Sequence, residues 1–486
     1  MTTRLDQELA EQRRWKPRPD RRGTAIFDIL VRNEFEEPRR CAAWQRQSLS
    51  TAIAHAFANV PYYRELARRL GLAPDDVVDP ADLPRLPILT KRGVYEHAAA
   101  LRAKTLPTGD KRIGYTQSSG TTGRPTQVDC TTTAARMFSV LKQREYRWFR
   151  FDPAGKLAAI RLSSQLPPGP DGKPLADRET RRLPAWPYAG DYFVTGPFVA
   201  VNVTNPVTAL VDWLQKERPT YLMTYSETLE HLALAWEDAP PCDGLRGAMA
   251  ISEQLTPSMR RCIARTFDVP IHQNYGLNEV GLVAVQCEAG RYHVHAEHCL
   301  VEIVDEEGRP CGPGEKGRIL VTALQNRLMP LIRYDTDDIA ETVEDPCPCG
   351  RTLPAFGKVV GRYSRIAFLP EGTLGFVGAV RAALEEMPPE LSRGLRQFQM
   401  HQSKDNRFEL RLAAASELPE AFFARIEAAW AAAVGDRAPP LSVVTVDRIA
   451  RGAGGKFQDF VSDFFPAPDE GEAGEPAAGE SPRPEG

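Results

Sequence analysis

The most chemically loaded stretch of the chain is Ser118-Ser119-Gly120-Thr121-Thr122-Gly123-Arg124-Pro125. Glycines let a backbone turn tightly and approach a ligand closely. Successive N–H groups in such a loop form a nest for an anion, and the hydroxyls of Ser118, Ser119, Thr121 and Thr122 add donors. Arg124 supplies charge for phosphate oxygens. The spacing is not that of Gly-x-x-x-x-Gly-Lys-[Ser/Thr] opening a helix. Taken alone, the stretch fits a polar surface hairpin equally well. A second set lies further on, where Cys287 and His293 precede Cys347 and Cys349. Three thiolates and one imidazole make a tetrahedral Zn²⁺ set, and a closed set of four is structural in type. His295, His298, Cys299 and Cys311 are neighbours that compete for the ligand roles.

These residues need elements to carry them. The chain has 486 residues, so two or three packed units are expected. Its apolar content of 42% fits a water-soluble globular fold. A formal net charge of -3 leaves no global basic field to hold nucleic acid or a membrane surface. The arginine-rich first thirty residues carry no apolar block, which argues against a signal peptide. No apolar run reaches the roughly eighteen residues of a membrane span. A cytoplasmic location follows, where clustered cysteines point to metal before disulfides.

Residues 1–40 are polar and predict an irregular or helical lead-in, followed by a helical pattern over 41–70. "RIGYTQ" and "QVDCTTT" predict strands on either side of the polar loop, and 131–150 predicts a helix. Strands are expected at "KLAAIRL", "YFVTGPFVAVNVT", "TYLMTY", 247–251 and "PIHQNYG", with helices between them. This alternation predicts an α/β fold with substantial parallel sheet. A large unit over 1–361 is expected, including a β-rich subdomain over about 283–360. A small α+β unit is expected over 362–465, with helices at 375–387 and 417–434. The proline- and acid-rich tail 466–486 cannot bury a core.

Three more stretches complete a pattern: Asn274-Tyr275-Gly276-Leu277-Asn278-Glu279, Arg333-Tyr334-Asp335-Thr336-Asp337-Asp338, and Lys456 after the glycine pair of "RGAGGKFQDF". With the polar loop they follow, over 115–456, an order that resembles the adenylate-forming superfamily of acyl-CoA ligases and adenylation domains. The resemblance implies a large N-terminal adenylate-forming domain and a small mobile C-terminal domain. It gives ATP to Ser118, Ser119, Gly120, Thr121, Thr122, Gly123 and Arg124. Tyr275 would stack on adenine beside Gly276 and Asn278, and Asp338 would accept from the ribose hydroxyls. Glu279 would hold Mg²⁺, since a hard carboxylate suits that ion. Gly361-Arg362 matches the hinge between the domains, with Arg362 also among the implied ATP contacts, and Lys456 would be the mobile catalytic lysine. Arg124, Asn278 and Asp337 stand where the family usually has lysine, a hydroxyl residue and glycine.

"CEAGRYHVHAE", "LMPLIRYDTDDIA" and "CPCGRTLP", with "VPYYRELARRLGL" near the N-terminus, resemble the phenylacetate–CoA ligase family and its capsule-biosynthesis-type relatives. This likeness implies a small-molecule, aromatic carboxylic acid as substrate. Its pocket would involve Tyr221, Tyr225, Ser252, Glu253 and Asn274. The implied reaction forms acyl-AMP and pyrophosphate, then transfers the acyl group to CoA. Other acceptors, an amine or a carrier protein, stand as alternatives, as does a nucleotide-binding member without turnover. Homodimers are common in the family, and the zinc would be structural.

Overall fold

The computed structural model describes residues 3–19, 25–117, 127–169, 172–236, 242–252, 255–343, 346–362, 367–369, 372–374, 380, 383–384, 387–405, 407–434, 439–447, 449 and 460–463. The chain opens on helices α1 (Arg4–Gln12) and α2 (Ala25–Asn33). The Thr3 hydroxyl and the Asp6 carboxylate cap α1 reciprocally, satisfying donors that the first helical turn leaves open. Helices α3 (Pro38–Asn59) and α4 (Pro61–Leu70) each start on proline, whose fixed φ suits the first turn. Gly71 ends α4 at φ +65°, where other residues would be strained. Helix α5 (Lys91–Glu96) follows, capped by Thr90.

Strands β1 (Arg112–Gln117) and β2 (Gln127–Thr131) pair antiparallel on either side of residues 118–126. Helix α6 (Thr132–Trp148) leaves β2 directly. Then come β3 (Leu157–Arg161), β4 (Thr180–Leu183), β5 (Phe198–Asn202), α7 (Val207–Glu217), β6 (Tyr221–Tyr225), α8 (Ser226–Ala235), β7 (Gly247–Ile251), α9 (Pro257–Phe267) and β8 (Ile271–Leu277). The later strands are β9 (Gly281–Gln286), β10 (Tyr292–Val294), β11 (Cys299–Val304), β12 (Lys316–Ala323), β13 (Tyr334–Glu341), β14 (Ala355–Phe356) and β15 (Val359–Arg362).

A nine-stranded sheet runs in the order β14-β10-β9-β8-β7-β6-β3-β5-β4. Its centre, β5, β3, β6, β7 and β8, is parallel. Of these, β5, β3, β6 and β7 are largely apolar on both faces, as a sheet covered by helices on both sides requires. One face packs against Trp15, Phe27, Tyr146 and Trp186; the other packs under α7, α8 and α9. A separate four-stranded sheet has the order β11-β12-β13-β15. Near the C-terminus, strands Leu395–Gln402, Phe408–Ala414, Leu441–Val446 and Phe460–Ser462 form a mixed sheet. The Phe422, Ile426 and Trp430 side chains of helix Glu420–Val434 share its core.

The lead-in over 1–40 contains the expected helices, with Trp15 and Phe27 in the main core and Glu8 and Glu34 fully buried. Two expectations need correction. Of "YFVTGPFVAVNVT" only Phe198–Asn202 is strand, because Pro197 removes a ladder donor just before it. The β-rich stretch 283–360 is not one subdomain. Its β9, β10 and β14 extend the large sheet, while β11, β12, β13 and β15 form the separate one. The expected helix at 375–387 falls largely outside the described residues, as does the tail 466–486.

Candidate functional site

The end of β8 meets β13 through a hydrogen bond. Tyr275 donates its hydroxyl to Asp338 Oδ2 at 2.8 Å, across 63 residues of chain. Tyr275 is held edge-on to Phe356, with ring centroids 5.9 Å apart. The next residue has to be glycine: a Cβ on Gly276 would lie 2.9 Å from the Gly281 carbonyl oxygen. Asp338 sits on the same alternating face of β13 as the buried Tyr334 and Thr336, and the Thr336 hydroxyl accepts from its backbone N–H. Its backbone pairs with that of Arg362 on β15.

Glu279 is drawn to the same side, where its Oε1 accepts from the Tyr334 hydroxyl at 2.9 Å. Burial, with the Glu279 carboxylate beside it, pushes the Tyr334 phenol up, so it stays protonated and donates. Asn278 donates to the Gln117 carbonyl at 2.8 Å, which ties the end of β1 to the end of β8. Asp337 has φ +66°, a conformation that short polar side chains tolerate better than most. Its carboxylate lies 4.0 Å from Lys91 Nζ. Ser118, Ser119, Gly120, Thr121, Thr122, Gly123, Arg124, Glu253 and Lys456 lie outside the described residues. For Arg362 only the backbone is described.

On the adjoining side, Asn274 donates to Glu145 Oε1 at 2.8 Å, and Lys142 of α6 donates to Glu145 Oε2 at 2.7 Å. Burial pushes the Glu145 carboxyl up, but Lys142 and His295 outweigh it and hold the group below its usual range. Tyr225 ends β6, donates to Gln165 Oε1 at 2.5 Å and accepts from the Leu162 N–H. Ser252 follows β7 at φ +65°. Tyr221 departs from expectation. It lies at the opposite, amino end of β6, stacked on Phe151 at 4.0 Å, and its hydroxyl accepts from the Asp152 N–H. Strand geometry puts it about 13 Å from Tyr225. It is a core residue.

The Cys–His corner lies at the edge of the nine-stranded sheet. One ligand atom each from Cys287, His293, Cys347 and Cys349 lies within 4.8 Å of all the others. Cys287 and Cys347 sulfurs are 3.8 Å apart, and Cys349 Sγ is 3.2 Å from His293 Nε2. Two sulfurs on one tetrahedral zinc, each at about 2.3 Å, stand roughly 3.8 Å apart. His293 Nδ1 lies 3.0 Å from the Leu353 carbonyl, a contact that fixes the tautomer and leaves Nε2 for a metal. The donor set therefore fits zinc. The competing residues are engaged elsewhere: His295 lies between Arg144 and Glu145, His298 contacts the Val280 carbonyl, and Cys299 and Cys311 contact backbone oxygens.

Sequence reasoning missed what backs this corner. Arg351, two residues past Cys349, lies over the Trp148 ring at 4.0 Å and pairs with Glu8, Glu34 and Glu288. Arg147 of α6 pairs with the same Glu8 and Glu34. Arg144 pairs with Glu34 at 3.3 Å and Glu297 at 2.8 Å. The surrounding arginines hold the Glu34 carboxyl down against its burial. Three arginines inside a helical or cysteine-rich pattern were the available signal, since charged side chains are rarely buried unpaired.

A family model described as "AMP-binding enzyme" matches residues 192–326. A phenylacetate–coenzyme A ligase of Thermus thermophilus is 26% identical over 348 residues, covering 69% of this chain and 73% of its own length. One from Escherichia coli is 28% identical over 336 residues, covering 67% and 70%. Among solved structures, a 2-hydroxyisobutyryl-CoA ligase in complex with 2-HIB-AMP aligns with TM-score 0.72 at 18% identity, covering 89% of this chain and 91% of its own. An anthranilate CoA ligase in complex with anthranoyl-AMP aligns at 0.54 and 14%, covering 82% and 75%. At such identities the structural likeness speaks for the fold. Among the described residues no helix is long and apolar enough to cross a membrane.

Proposed function

We propose, from the premise that this chain is an adenylate-forming, phenylacetate–CoA ligase-like protein, that it activates an aromatic carboxylic acid and transfers it to CoA. A carboxylate oxygen attacks the α-phosphorus of ATP, and the bond to pyrophosphate breaks. The CoA sulfur then attacks the acyl carbon, AMP leaves, and the thiol proton passes to solvent. Positioning and charge neutralisation carry most of such a phosphoryl displacement.

The observation that carries this reading is the 2.8 Å contact of Tyr275 with Asp338. It sets an aromatic face and a carboxylate side by side. In the bound state the Asp338 carboxylate would accept from the ribose hydroxyls, with adenine on Tyr275 and the phosphates on 118–124. Mg²⁺ on Glu279 would neutralise phosphate charge. Lys456 would arrive with the unit over 362–465, turning about Arg362, as negative charge builds at phosphorus. Cys287, His293, Cys347 and Cys349 would hold a structural zinc away from the reaction.

The test is acid-dependent ATP–pyrophosphate exchange over a panel of aryl and alkyl acids, followed by CoA-dependent AMP formation. Exchange with at least one aryl acid, and AMP release stimulated by CoA, is the expected result. Exchange without CoA stimulation would move the acceptor to an amine or carrier protein. ATP binding without exchange on any acid would leave a nucleotide-binding protein without turnover.

A further inference from the structure

Four adjacent strands of the large sheet line up at one level. Ile160 pairs with Thr224, Tyr225 with Ile251 and Ala250 with Gln273, so Arg161, Tyr225 and Ile251 stand at the carboxyl ends of β3, β6 and β7, abreast of Asn274 partway along β8. Open α/β sheets take their ligands at this edge. Side chains alternate along a strand. Ala159, Met223 and Met249, two positions back, lie in the core layer that contains Tyr146 of α6. The level therefore faces α6, as the Asn274–Glu145 bond confirms. Phe138 of α6 and Tyr188, edge to face at 4.9 Å, add aromatic wall.

The charges on this wall do not all cancel. Lys142 is matched by Glu145 at 2.7 Å. Arg161 has no carboxylate partner among the described residues. Its Nε is buried without a hydrogen bond, and its Nη2 donates only to the neutral Gln165 Oε1, at 2.9 Å. That same oxygen accepts from Tyr225. Among the described residues this half-buried guanidinium is thus held by uncharged groups, with no carboxylate to match its charge. Leaving buried donors unmet costs stability, and a ligand that meets them recovers it. A guanidinium fork fits a carboxylate or a phenolic oxygen far better than a hydrocarbon.

We propose that Arg161 is a specificity-determining residue that reads a second oxygen substituent, a carboxylate or a hydroxyl, on the aryl part of the acid. The substrate class is then an oxygen-substituted aryl acid, not a bare arylalkanoate. This inference rests on the adenylation reading and deepens it. Sites built to hydrogen-bond a substituent discriminate strongly against analogues that lack it.

The experiment measures ATP–pyrophosphate exchange by the full chain with phenylacetate and with its hydroxy- and carboxy-substituted counterparts. The wild type should favour a substituted acid by about tenfold or more in kcat/KM. Arg161→Met should collapse that ratio towards one, and Arg161→Lys should restore part of it. Preference of the wild type for phenylacetate overturns the inference, as does a ratio that survives Arg161→Met. If Arg161→Met does not fold, the wild-type ratio decides, checked by calorimetric binding of the same acids. Absence of exchange with every acid overturns the adenylation reading and this one with it. Exchange without discrimination overturns this one alone.

Discussion

The Tyr275–Asp338 pair and the Cys–His corner are both assembled across about sixty residues of chain, yet they are built to opposite ends. At the first, Tyr275 donates to Asp338 and Tyr334 to Glu279, contacts that the proposed nucleotide and Mg²⁺ would displace. At the second, four buried side chains face one another, and Arg351 and Arg147 lock the surroundings onto Glu8 and Glu34. On the proposed reading the first must release its ligand, while the second must stay closed.

The sharpest way to test that contrast is to empty the corner. Protein purified without a His tag should carry about one zinc per chain. Chelation or Cys349→Ser should cost the largest share of stability of any change considered, read as a drop in Tm. A chain without zinc and with unchanged Tm would remove the difference between the regions. Next comes Arg351→Met, which leaves Glu8 and Glu34 buried with one cation fewer. Breaking a buried pair typically costs roughly 3–5 kcal/mol, so chemical denaturation should show a loss of that order with KM for ATP nearly unchanged. Asp338→Ala should do the reverse. It should lower kcat/KM for ATP by about a hundredfold, the scale of one lost charge-assisted contact, with Tm shifted little.

The smallest effect is set by pH. Burial pushes His272 and His298 down to about 4 from an ordinary 6.5. Both are neutral in the fold, and the unfolded chain takes up protons first as pH falls. Their contribution is fully present above pH 6.5 and is lost progressively towards pH 4. The loss is about 1 kcal/mol for each histidine at pH 5.5. Tm measured from pH 7.5 to 5.5 should fall, and the fall should shrink in His298→Gln. A flat profile would show that neither histidine is buried neutral.

Much of the fold was legible because its signals are local. Apolar runs such as "LAAIR", "YLMTY" and "GAMAI" predict buried parallel strands, and they are. The cysteine spacing predicted the corner, and four donors converge there. Tyr221 was misplaced because a strand's sequence does not say which of its ends faces a ligand. Strand pattern is silent on which sheet a strand joins, so the strands of 283–360 read as one subdomain yet divide between two sheets.

By itself the sequence determined the residue chemistry and the alternation of helix and strand, since both depend on neighbours within a few positions. Tertiary structure alone decided the rest. It brought Glu8 and Glu34 from the apparently polar lead-in onto Arg147 and Arg351. It also left Arg161 level with Tyr225 and without a carboxylate partner among the described residues. A buried charge is tolerable only where a partner arrives from elsewhere in the chain, and no local pattern encodes that arrival.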